Sequence, residues 1–350
     1  MNVGFLTRYD ERRASSRVRA YRYAGPLAEL GVNCRFVPWA NRPRRAWPAY
    51  TARALALAVW ADVIVLQKPF QPPWFVDALA RINPRIVVDV DDAVWEPVDR
   101  GDAARAFELG RRLDHAGSRA VAVTTGSRYL AECLRDRGLA RVPHVLPSSV
   151  ELDRFPLHEH RDVRPAVVGW IGSPENLSDL AACRAPLVRL VASRTAVLRV
   201  MSSRPPTFED LPAQFVPWSA AEGPGRVATF DIGIMPLCDT PRSRGRCGFK
   251  AIEYMAAGVP VVTSPLAGPS EVVEHGVTGF HAENDAAWER YLGLLADAAA
   301  LRQRMGSAGR FAASERYSVK ANASRLAGIL AAAGEVTSNG LGAGAKVARP

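Results

Sequence analysis

Short, wholly apolar runs recur along this 350-residue chain, separated by longer stretches of helical period, and that alternation limits what it can fold into. Val3–Leu6, Val63–Leu66, Ile86–Val90, Ala120–Thr124 and His144–Leu146 read as strands in the first half. Ala166–Ile171, Ala196–Met201, Phe215–Pro217, Ile232–Met235 and Val259–Thr263 do so in the second. The runs do not alternate with polar residues, so both faces of each strand are buried, as in a parallel sheet covered by helices. Helical patterns such as Ala24–Leu30, Trp74–Ile82 and Arg128–Arg137 lie between them. This is βαβ grammar, written twice. It predicts an α/β protein of two doubly wound domains facing a central cleft, with ligands beyond the carboxyl ends of the strands.

The charged, proline-bearing stretch Glu151–Arg164 separates two blocks that each begin afresh with a strand. We therefore expect a first domain over 1–155 and a second over 160–317. A helix at about 318–335 is expected to return to the first domain, and the Gly- and Ala-rich end, 337–350, to be loose. His158 and His160 fall in the break and read as solvated, so no metal role is assigned to them.

The bulk numbers narrow the partners. A formal charge of +10 favours anionic ligands. The basic residues are spread along the chain with no nucleic-acid-binding motif, so nucleic acid is not expected as a partner. No apolar run reaches membrane-spanning length. The start of the chain lacks a signal peptide's long apolar segment. The five cysteines, Cys34, Cys133, Cys183, Cys238 and Cys247, are widely spaced with no C-x-x-C, which reads as reduced thiols in a cytoplasmic protein. The sequence carries no signal for an oligomeric state.

The most informative stretch is RGRCGFKAIEYMAAGVPVVTS, Arg244–Ser264. Its order is loop, helix, Gly258 as the stop, then a strand. The helix N-terminus offers unpaired N–H groups and a partial positive charge. Arg246 and Lys250 add full charges, and Gly248 removes a side chain that would block approach. Such a site suits a diphosphate, whose charge grows as it leaves. Lys250 is one of only 4 lysines in the chain. Glu253 lies one turn after Phe249. It reads either as a surface partner of Lys250 or as an acceptor of two hydroxyl hydrogens, as a ribose presents. A second anion-binding turn is Gly172-Ser173-Pro174, after the strand Ala166–Ile171, where the following helix would offer its N–H groups.

KAIEYMAAGVPVVTSPLAGPSEVVEHGVTGF resembles the nucleotide-binding segment of the GT4-type glycosyltransferases, which have the GT-B fold. RASSRVRAYRYAGPLAELG, VVDVDDAVW, VTTGSRYL, PSSVELDRF, WIGSPENL and DIGIMPL match successive landmarks, so the resemblance extends over most of the chain. It implies transfer of a sugar from a nucleotide-diphosphate sugar to an acceptor with retention, and two Rossmann-like domains. Glu253 falls on the second glutamate of the family's E-x7-E motif, which holds the donor ribose. The first glutamate should stand at 245, and Gly245 is there instead, as in a branch with R-G-[KR]-C-G-F-K at this place. The resemblance assigns donor binding to Gly172, Ser173, Cys247, Gly248, Phe249 and Glu253, and leaving-group stabilisation to Lys250 and Arg246. It assigns the acceptor, a small molecule or a glycan, to the first domain, with Ser16 and Arg17 of the arginine-rich loop. No metal and no cofactor beyond the donor is expected.

Asp89, Asp91 and Asp92 follow the strand at Ile86. Asp91 and Asp92 are expected at the cleft, Asp92 with a catalytic part and Asp91 on the acceptor side, or else as caps of a following helix. The same DVDD also suits a magnesium-dependent phosphatase, although Ala93 stands where such motifs carry Thr or Val. A non-catalytic sugar-nucleotide-binding relative is the other alternative, suggested by Gly245. Ala40–Tyr50, with three arginines, Trp47 and Tyr50, reads as an exposed crossover loop and as a candidate for peripheral membrane or apolar-acceptor contact.

Overall fold

The computed structural model describes residues 1–39, 46–139 and 143–336. The expected tail at 337–350 and the first part of Ala40–Tyr50 lie outside the described residues. The chain divides into two compact units, 1–147 together with the chain from Asn322 onward, and 148–321.

The first unit is built on six parallel strands, β1 (Asn2–Thr7), β2 (Asn33–Pro38), β3 (Val63–Gln67), β4 (Ile86–Val90), β5 (Ala120–Thr125) and β6 (His144–Val145), in the order β2-β1-β3-β4-β5-β6. The second holds β7 (Ala166–Ile171), β8 (Ala196–Ser202), β9 (Ala213–Pro217), β10 (Ile232–Met235), β11 (Val261–Thr263) and β12 (Gly279–His281), in the order β12-β11-β10-β7-β8-β9. Both sheets are covered by helices, and each has a point where strand order reverses, β1/β3 in the first and β7/β10 in the second. Ligands of doubly wound sheets settle at such points.

The continuous apolarity of the strands has a direct cause. On β7, Val168 and Trp170 enter one hydrophobic cluster with Leu198, Ile232 and Trp288. Their neighbour Ile171 enters another with Met201, Met235 and Tyr254. Successive side chains of a strand point to opposite faces, so a strand feeding two cores has no position left for a polar residue. Each fully buried aliphatic side chain here contributes about 1.5–3 kcal/mol.

Two strands lie outside the sequence reading. β2 (NCRFVP) is an edge strand whose side chains alternate exposed and covered, so its pattern lacks the continuous apolar signature. β12 (GFH) is only three residues long. The charged stretch Glu151–Arg164 is built into the second unit rather than lying free between units. Phe155 is buried in its core, and Val150 bridges to Ser318. The returning segment packs on the first unit, where Arg325 donates to Val145 O at 2.9 Å and Leu330 is fully buried.

Candidate active site

In the second unit the ladder between β7 and β10 is short, joining only Ile232 to Val168 and Gly233 to Gly169. Beyond it Tyr254 takes over. Its hydroxyl accepts from Ile171 N at 3.0 Å and donates to Ile234 O at 3.1 Å. A phenol thus stands where a backbone bond would close the two strands, and it splays their carboxyl ends. Tyr254 was not singled out from the sequence. It sits mid-helix in an apolar run, and only its buried hydroxyl gives it away.

Tyr254 belongs to the helix Phe249–Ala256. Gly248 precedes it with φ 66, and no side chain caps the helix start, so its first N–H groups face outward without a side-chain partner. Gly248 has a structural reason of its own beside the expected room for a ligand. A Cβ there would meet Val272 Cγ2 at 2.8 Å, and the left-handed φ alone demands glycine. At the other end Gly258 N donates to Met255 O and Val259 N to Tyr254 O, which closes the helix as a Schellman motif.

Lys250 extends from the first turn of this helix. Its Nζ is buried and has no hydrogen-bond partner among the described residues. The ammonium lies 4.3 Å from the centroid of the Trp170 ring, a cation–π contact. Gly172 makes this possible, since a Cβ there would come within 2.5 Å of Trp170 and 3.0 Å of Lys250 Nζ. Burial above all, aided by the nearby Arg246 and opposed by Asp179 and Glu253, brings the Lys250 pKa down to about 7. No hydrogen bond joins Lys250 to Glu253, so the surface pair considered from the sequence is not formed. Glu253 is partly exposed, between the fully buried Ile252 and Tyr254.

The remaining donor-side residues are placed as follows. Arg246 donates to Asp179 Oδ2 at 2.8 Å and to Asn176 Oδ1 at 3.1 Å. Its charge is thus shared with Asp179, which a sequence view of the basic loop did not foresee. Cys247 is buried, Phe249 packs on the core, and Ser173 is exposed. The segment after Ser173 is a 3-10 helix over Pro174–Cys183, with the α-helix starting only at Arg184. The expected α-helix N-terminus at this turn is therefore replaced by a tighter one, and Asn176 and Asp179 within it hold Arg246. Gly245, where the motif's first glutamate would stand, is buried and caps the short helix Pro241–Arg244.

In the first unit the β1/β3 reversal carries a polar net. Gln67 Oε1 accepts from Arg8 N at 3.1 Å and from Ser16 Oγ at 2.8 Å, and its Nε2 donates to Ser15 Oγ at 3.1 Å. Ser15 Oγ donates to Asp91 Oδ2 at 2.9 Å, and Lys68 Nζ lies 3.0 Å from Asp91 Oδ1. Lys68 holds φ 51, a left-handed conformation for a non-glycine residue, and such strain concentrates at functional sites. Burial favours the neutral form of Asp91, but Lys68 and Arg19 outweigh it and hold the carboxyl below its usual range. Neither Gln67 nor Lys68 was predicted to be functional. The positive φ is invisible in sequence.

Ser16 is fully buried and acts inside this net, while Arg17 folds back to donate to Glu11 O and Arg12 O. Asp92 caps no helix, because no helix starts there among the described residues. Its carbonyl instead accepts from Val94 N in a turn. Asp89 is buried against Arg19 in a two-pronged ion pair and also accepts from Thr124 Oγ1. A phosphatase of the D-x-D kind would need this aspartate open to substrate. Beside the net a cavity of about 260 Å³ is lined by Arg8, Trp39, Trp47, Phe70 and Arg112, with the Arg8 guanidinium 3.9 Å from the Phe70 centroid. Trp47 opens the helix Trp47–Trp60 and Tyr50 is buried in it, so neither lies on an exposed loop.

Residues 167–297, within the second unit, match the family described as "Glycosyl transferases group 1". A D-inositol 3-phosphate glycosyltransferase of Streptomyces scabiei is 32% identical over 176 residues, which is 48% of this chain and 33% of the relative's length. The match thus spans about a third of that curated relative. Among solved structures, HepE of Anabaena with UDP and glucose superposes with a TM-score of 0.69 at 15% identity, covering 95% of this chain and 99% of the other. Sucrose-phosphate synthase of Thermosynechococcus elongatus gives 0.67 at 12% identity, covering 95% and 98%. These likenesses establish the GT-B fold.

Proposed function

We propose that this chain, whose residues 167–297 match the group 1 glycosyltransferases and which has the GT-B fold, moves a sugar with retention from a nucleotide-diphosphate sugar to a small-molecule or glycan acceptor. The observation that carries the reading is Lys250, a lysine held on an indole face, shielded from water and left without a hydrogen-bond partner at an uncapped helix start. A bound diphosphate would supply what is missing. It would also return the lysine to its charged form, because an anion at contact favours the ammonium.

The second unit would hold the donor. Lys250 and the first N–H groups of the Phe249 helix would stabilise the departing diphosphate, with Arg246 adding a charge already moderated by Asp179. Glu253 would accept the two ribose hydroxyls. The first unit would hold the acceptor, with Lys68 and Asp91 facing it and Gln67, Ser15 and Ser16 setting their positions. Asp92 stays a candidate for orienting the acceptor hydroxyl. A donor phosphate oxygen would take the acceptor proton, so neither metal nor a further cofactor enters the chemistry. UDP is the first nucleotide to try, since HepE was solved with it. Five free cysteines and such a donor suit the cytoplasm.

The test is a thermal-shift screen of nucleotide sugars followed by product analysis with excess chelator. The expected outcome is turnover unaffected by chelation and an α-linked product from an α-linked donor by proton NMR. Nucleotide binding without any turnover would favour the non-catalytic relative. A β-linked product would mean an aspartate acts as general base.

A further inference from the structure

One group of ligand-type side chains takes no part in this reaction. His158, His160 and Asp231 bring one ring nitrogen each and one carboxylate oxygen within 4.8 Å of one another. The sequence reading left both histidines solvated in a linker, but in the structure they are packed, with ring centroids 4.4 Å apart.

Their hydrogen bonds identify which nitrogens face the centre. His158 Nδ1 lies 2.7 Å from Ala228 O, and His160 Nε2 lies 2.9 Å from Gly258 O. A carbonyl only accepts, so each of these nitrogens carries the proton. The lone pairs are then on His158 Nε2 and His160 Nδ1. His158 Nε2 faces Asp231 Oδ1 at 3.1 Å, so either a second proton on the ring or a metal ion must join the two. His160 Nδ1 is buried with no hydrogen-bond partner among the described residues. The other oxygen of Asp231 is held by Val167 N at 2.8 Å, which fixes the carboxylate. Imidazoles that donate their far N–H to backbone carbonyls while a carboxylate stands beside them are arranged as metal-binding histidines are.

We propose that His158 Nε2, His160 Nδ1 and Asp231 Oδ1 bind a divalent transition metal, zinc being the best fit, with water in the fourth position. Tetrahedral ligands about 2.0–2.1 Å from zinc stand roughly 3.4 Å apart, so His158 Nε2 and Asp231 Oδ1, now at 3.1 Å, would part slightly while the wider spacings of the group, up to 4.8 Å, would shrink. Arg302 faces the cluster with Nε 3.7 Å from Asp231 Oδ1, its guanidinium held by Leu295 O, Ala296 O and Arg161 O. It already balances the aspartate's charge. That argues against a hard cation, which needs carboxylate charge, and for a metal that imidazole nitrogen binds well. Since His158 N also donates to Ala257 O, the metal would tie the stretch after Phe155 to the end of the Phe249 helix and to the start of β10.

The experiment uses tag-free full-length protein, stripped with chelator and titrated with ZnCl2 by calorimetry and thermal shift, with MgCl2 as the hard-cation control. One equivalent of zinc is expected, with a rise in Tm of about 4 °C or more at saturation and no response to magnesium. Co2+ should give the intense visible bands of a tetrahedral site. His160→Ala, and His158→Gln should the first variant fail to fold, keep all five cysteines and should lose at least about tenfold in zinc affinity. Equal binding in a folded variant would assign the zinc to thiols and overturn the proposal. So would an unchanged wild-type Tm in zinc, which would leave a proton alone between His158 and Asp231.

Discussion

At the β1/β3 reversal the polar side chains hold one another, Gln67 to both serines, Ser15 to Asp91 and Asp91 to Lys68. At β7/β10 the key group, Lys250 Nζ, rests on an aromatic face and has no hydrogen-bond partner among the described residues. Both places are topologically equivalent sites for a ligand. The first is a frame already satisfied, able to orient a neutral acceptor without reorganising. The second keeps a buried amine whose charged form is disfavoured by burial, a cost that a bound anion would offset. A satisfied net is rigid, and an unsatisfied cation marks where a ligand's charge belongs.

The largest effect that should separate the two regions is on stability. Asp89→Asn leaves Arg19 buried without its counter-charge, and loss of one partner of a buried pair costs about 3–5 kcal/mol. Urea unfolding should show this loss, with nucleotide affinity in the surviving folded protein unchanged. A shift below about 1 kcal/mol would show that the first-unit frame does not depend on this pair.

Next comes Lys250→Ala, which should lower kcat by about 10²–10³ with a smaller change in donor KM. An effect on KM alone would make Lys250 a binding residue and void the leaving-group role. The same lysine predicts a proton effect. Its folded pKa, about 7, lies below a lysine's ordinary 10.5, so between these values the folded state binds fewer protons than the unfolded one. Its contribution is therefore destabilising below about pH 7 and is relieved as pH rises towards 10.5. Binding UDP at pH 8 should accordingly take up a proton, measurable by calorimetry in two buffers of different ionisation enthalpy. Lys250→Met should abolish that uptake.

The smallest effect belongs to Glu253. Glu253→Gln keeps shape and removes charge, and should weaken nucleotide binding by about 1–3 kcal/mol. If affinity for UDP stays level, Glu253 does not hold the ribose.

Strands buried on both faces were the legible part. β4, β7 and β10 begin and end where their runs do, because no position faces water and the one charged residue among them, Asp89, is buried against Arg19. β2 escaped because one of its sides meets water. Charge and glycine spacing drew attention to Lys250, but only three dimensions show it stranded on Trp170. Arg246 shows the limit in the other direction, since its partners Asn176 and Asp179 lie far away in sequence, on the 3-10 helix Pro174–Cys183. Lys68 was beyond reach, because a left-handed backbone leaves no mark in composition.

The division of the chain has a consequence during synthesis. The second unit is one unbroken stretch, whereas the first needs the segments that flank it on both sides, with Arg325 reaching Val145 and Leu330 entering its core. As the chain leaves the ribosome, the first sheet is made early yet remains without its last helix until translation has passed residue 335. The second unit, though made later, has all its parts first. The usual N-terminal-first order of maturation is thereby reversed at its final step. A nascent chain halted at Ala321 would carry a whole second unit and a first unit with an uncovered flank, the species a chaperone would meet.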